Sequence, residues 1–76
     1  MRIDANYGID TDMYLVDVYL ETEEESALEA AEIWKRLRSL LISQEIDIAS
    51  VVEFFLYKQD KNAKWVSAGI LPWSAE

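Results

Sequence analysis

The stretch 50–58, Ser-Val-Val-Glu-Phe-Phe-Leu-Tyr-Lys, is rich in β-branched and aromatic residues and holds no glycine or proline, which makes it a strand. Alternation sends Val52, Phe54 and Leu56 to one face and Val51, Phe55 and Tyr57 to the other, with Glu53 as the one charge interrupting them. An antiparallel strand with one solvated face alternates apolar and polar residues. This strand is apolar on both sides, so both faces of its sheet need a cover. The chain has helical periodicity in one segment, and one helix covers one face. A second apolar face is therefore left over, and it constrains every reading of fold and function.

The segment 13–21 is a second strand, with Tyr14, Val16, Val18 and Leu20 on one face and Met13, Leu15, Asp17 and Tyr19 on the other. Thr22 followed by Glu25 forms a capping box, so a helix is expected over 23–43. On a helical wheel Ala27, Ala30, Trp34, Leu37 and Leu41 cluster, with Ala31, Ile33 and Leu40 at the margins, and Glu29, Glu32, Lys35, Arg36 and Ser39 lie opposite. Leu28, Arg38 and Ile42 break this pattern. Glu32 and Arg36 are spaced as an i,i+4 ion pair. The polar run 59–64 closes a hairpin onto a strand over 65–71, where Val66, Ala68 and Ile70 alternate with Trp65, Ser67, Gly69 and Leu71. Residues 1–12 read either as an edge strand or as a loose arm, and 72–76 as a tail.

The fold expected from this order is one small α+β domain, 1–76. It has a two-layer β-α-β-β core, extended to β-β-α-β-β if the first residues pair, with one amphipathic helix on one face of a mainly antiparallel sheet. Val16, Val18, Leu20, Val52, Phe54, Leu56, Val66, Ala68 and Ile70 are expected under the helix. The opposite face then displays Met13, Leu15, Tyr19, Val51, Phe55, Tyr57, Trp65 and Leu71. Such a patch is larger than monomers ordinarily expose, and its residue types are those enriched at interface cores. The alternative is that Tyr7, Ile9 and Trp73, from the arm and the tail, fold across it.

Charge and missing residue types limit the chemistry. The chain has neither histidine nor cysteine, which removes the usual catalytic triads and zinc sites, and no cofactor is expected. The spacing Asp4, Asn6, Gly8, Asp10, Asp12 does not match a calcium loop, because the glycine is misplaced and Leu15 falls where the bidentate glutamate belongs. The net charge is −8, and up to Glu32 ten acids stand against one base, Arg2. Direct nucleic-acid binding is disfavoured by that balance, and attraction to a basic protein surface is favoured. With no signal segment and no long apolar run, the expectation is a cytoplasmic protein that does not enter a membrane.

Two functions remain, and neither is catalytic. The first is a protein-interaction module that docks through its aromatic sheet face, either on itself as a homodimer or on another protein. The second is an acidic inhibitor or nucleic-acid mimic of the kind phage-type anti-defence proteins provide, with Asp10, Asp12, Asp17, Glu21, Glu23, Glu24 and Glu25 blocking a basic groove on a target. The three clustered glutamates also have a structural role, since acids at a helix N-terminus complement its dipole. An enzyme would need Asp17 and Glu53 to face each other as a carboxylate pair.

Overall fold

The computed structural model describes residues 1–71, and the expected tail lies outside them. Strands β1 (Arg2–Gly8), β2 (Met13–Leu20), β3 (Val51–Gln59) and β4 (Trp65–Ile70) form one sheet in the order β1-β2-β3-β4. The outer pairs are antiparallel and the central β2–β3 pair is parallel. The first residues are thus an edge strand rather than an arm, and β4 is the other edge. No helix among the described residues is long and apolar enough to cross a membrane.

The expected long helix is two helices, α1 (Glu23–Ser26) and α2 (Ala30–Ser43). Thr22 caps α1 as its spacing predicts, its side chain accepting from the Glu25 backbone N–H at 3.1 Å. The chain leaves helical geometry before α2, with Glu29 extended at ψ 159°. Leu28 explains the break. In a continuous helix it would point away from the apolar arc, whereas here it is re-aimed to pack against the core. Ala27, Ala30 and Ala31 lie exposed, and the helix is anchored by Ile33, Trp34, Leu37 and Leu41, all buried.

The core between α2 and the sheet contains Ile3, Val16, Val18, Leu20, Val51, Phe54, Leu56 and Leu71. The rings of Trp34 and Phe54 meet edge to face, with centroids 5.1 Å apart. A helix is about 10 Å wide, while four strands span about 19 Å, so one helix cannot cover the whole sheet. The shortfall falls on β4, every residue of which is exposed. Val66, Ala68 and Ile70 are therefore not core, contrary to the expectation from alternation.

Two register shifts decide which side chains face where. Tyr14 stands opposite Val51 and Leu15 opposite Glu53, so Val52 is an extra residue in β3. Leu56 stands opposite Gly69 and Tyr57 opposite Ser67, so Ala68 is an extra residue in β4, next to Gly69 at φ +104°. Each bulge resets the alternation of its strand. Val51 and Leu71, expected on the open face, are consequently buried under the helix, and Val52 and Ile70 are turned out of the core.

Candidate functional site

Directly opposed residues in a sheet share a face, so the pairing of the strands assembles the surface away from the helix row by row. Arg2, Tyr19, Tyr57 and Ser67 form one row, and Asp4, Asp17, Phe55 and Ile70 the next. Asn6, Leu15 and Glu53 follow, then Gly8 and Met13, while Trp65 lies beyond the first row opposite Gln59. Met13, Leu15, Tyr19, Phe55, Tyr57 and Trp65 are thus brought together as expected. Among the described residues nothing packs across them. Leu15, Val52, Trp65 and Ile70 are exposed, and Met13, Tyr19, Phe55 and Tyr57 are half-buried. Neither Tyr7, which pairs with Tyr14, nor Ile9, in the turn, covers this face.

One end of the face is an aromatic platform. Tyr19 stacks on Tyr57 with centroids 5.3 Å apart and meets Trp65 edge to face at 4.9 Å. The Arg2 guanidinium lies over the Tyr19 ring, 4.2 Å from its centroid, and its Nε is 3.7 Å from a Glu21 carboxylate oxygen. Desolvation, together with the negative charge and hydrogen bond of Asp17, pushes the Tyr57 hydroxyl above the ordinary phenol range. The other end is a hollow of about 300 Å³ lined by Asn6, Tyr7, Gly8, Thr11, Met13, Leu15 and Val52. Clustered aromatic rings and apolar sockets are the features from which interface anchors are made.

The acidic residues do not form one continuous row. Asp10 and Asp12 lie in the β1–β2 turn, and Glu21, Glu23 and Glu24 lie past the other end of β2, nine or more residues on, a separation of roughly 30 Å at strand rise. Asp17 sits between them on the open face. Glu25 is engaged rather than displayed: its carboxylate accepts from the Glu21 backbone N–H at 2.8 Å and binds the N-terminal ammonium of Met1. Arg36 approaches Glu25 at 3.9 Å instead of pairing with Glu32. Asp17 and Glu53 share the open face without standing directly opposite each other, since Asp17 faces Phe55 and Glu53 faces Leu15.

The acid directly opposite Asp17 is Asp4, which sequence alternation alone did not select. Asn6 reaches Asp17 at 3.4 Å, but neither aspartate forms an ion pair among the described residues. Like charges directly opposed across strands are destabilising. Asp4→Asn is therefore expected to stabilise the fold by about 0.5 kcal/mol, with a gain that shrinks as salt is added. Thermal melts at low and high ionic strength check this, and a lowered melting temperature would contradict the geometry.

A second apolar hollow lies on the helix side, between the end of α2 and the turn into β3, lined by Arg38, Leu41, Ile42, Ile46, Asp47 and Ile48. It is separate from the open face. Compared with known proteins, the chain matches no family model, no curated protein and no solved structure.

Proposed function

We propose that this chain is a non-catalytic protein-interaction module that docks through the sheet face opposite α2. The observation that carries the reading is the gathering of Leu15, Tyr19, Phe55, Tyr57, Trp65 and Ile70 on a face with no cover among the described residues. Burying such side chains stabilises a complex by about 25 cal/mol per Å² before the costs of association, and aromatic residues contribute most of it. The acidic-inhibitor reading draws support from the exposed carboxylates at both ends of β2, but their separation into two groups makes them flanks of the face rather than an imitation of a phosphate row.

The test is a charge placed on the face. Ile70 is 53% exposed, so Ile70→Lys is expected to change stability by less than about 0.5 kcal/mol. It is expected to abolish association, read as the absolute mass in solution by light scattering and as proteins captured from a native lysate. Ala31→Lys, on the exposed back of α2, is the matched control and is expected to change neither. If wild type and Ile70→Lys have the same mass and capture the same proteins, the face is not the docking surface.

A further inference from the structure

Resting on that docking reading, we infer that the occupant of the face is a basic protein segment that presents arginine side chains, rather than a second copy of this chain. The charge of the face decides between them. Each copy carries Asp4, Asp17 and Glu53 on it against a single cation, Arg2, which is already engaged with Tyr19 and Glu21. Two copies face to face would trap six carboxylates with two guanidinium groups, and buried charges without partners are strongly unfavourable. A basic partner supplies the missing cations.

The molecule itself displays the recognition chemistry. Arg2 rests on a tyrosine ring while its guanidinium approaches a carboxylate, and the next positions along the face repeat those ingredients without a cation: Tyr57 beside Asp17, with Asp4 across from it and Trp65 adjoining Tyr19. Arginine suits this arrangement better than lysine, because its planar guanidinium stacks on aromatic rings and its fork of N–H donors pairs with a carboxylate. The surrounding field has the matching sign. Asp4 and Asp17 lie on the face, and Asp10 and Asp12 lie in the β1–β2 turn at one end of it. That potential draws a basic partner toward this side of the molecule before contact.

The probe is an extended peptide with arginine at every second position, titrated calorimetrically into the full chain at physiological salt, beside its lysine counterpart. The expected result is that the lysine peptide binds several-fold more weakly and that Asp4→Asn with Asp17→Asn weakens arginine-peptide binding by about tenfold. Glu23→Gln with Glu24→Gln removes the same charge away from the face and is expected to weaken binding by no more than about twofold. Equal losses from the two double variants, equal affinity for the two peptides, or no binding by a monomeric wild type would each overturn the inference. A wild-type dimer that Ile70→Lys returns to monomer would also overturn it, while leaving the docking reading intact. Arginine-peptide binding untouched by Ile70→Lys, in a protein whose mass is also untouched, would overturn both.

Discussion

Val51→Asp is expected to unfold the protein, and Val52→Asp is expected to leave it folded. The two valines are adjacent and chemically identical, yet Val51 is 2% exposed in the core beside Phe54 and Leu71, while Val52 is 45% exposed on the rim of the open hollow. Among the described residues Val51 lies in an apolar cluster, and burying a carboxylate there costs about 4 kcal/mol, close to the whole stability of a domain this small. At Val52 the change falls within about 1 kcal/mol, because the new carboxylate reaches water. Thermal unfolding followed by circular dichroism separates the cases: Val51→Asp should show no cooperative transition at room temperature and above, and Val52→Asp should melt near wild type. The opposite pattern would mean that β3 runs without its bulge and that the faces are exchanged.

That pair of residues also marks where sequence reading stopped. Strands β2, β3 and β4, the Thr22 cap and the buried Ile33, Trp34, Leu37 and Leu41 were legible because each depends on a local pattern, whereas β1 reads as either a strand or an arm. The surplus apolar face was legible for the same reason, since a strand that is apolar on both sides needs two covers whatever its register. Which residues occupy that face was legible for β2, whose alternation of Met13, Leu15, Asp17 and Tyr19 runs unbroken, and for Phe55, Tyr57 and Trp65. It failed at Val51 and Leu71 because alternation carries parity along a strand, and the extra residues Val52 and Ala68 reverse it. A bulge is fixed by pairing with a neighbour, and Gly69 was the one local sign of the second. The helix break had a sign as well, in the misfit of Leu28. Asp4 and Arg2 joined the face only through the register of β1 on β2, a relation between segments that no local period records.

The second large effect concerns Glu25, which the spacing from Thr22 selected for a capping role and which the fold also uses to hold the chain's first residue. Its carboxylate binds the Met1 ammonium and the Glu21 N–H, fastening the start of β1 to the start of α1. Burial by itself raises the Glu25 pKa, but the hydrogen bonds and charge of the ammonium and the backbone donors outweigh it and hold the group below its ordinary value of 4.5. Burial by itself lowers the pKa of the ammonium, and the hydrogen bonds and charges of Glu25 and Glu21 outweigh it and hold the group above 8.0. A depressed acid contributes stability that is present above its unfolded pKa and lost as pH falls through the folded one. A raised base contributes stability that is present below its unfolded pKa and lost as pH rises through the folded one. The contact should therefore stabilise the fold fully between about pH 5 and pH 8 and weaken on either side. Glu25→Gln keeps the shape but removes the charge, leaving the ammonium with Glu21 as its remaining partner at 3.3 Å. The expected loss is about 2 kcal/mol on the neutral plateau, less than for a fully buried pair because the contact lies near the surface. Denaturant melts across pH should show the wild type and Glu25→Gln converging in acid, where the wild-type carboxyl is also neutral, and the alkaline decline of the variant smaller than that of the wild type. A constant gap at every pH would mean that the side chain acts through packing and not through its charge.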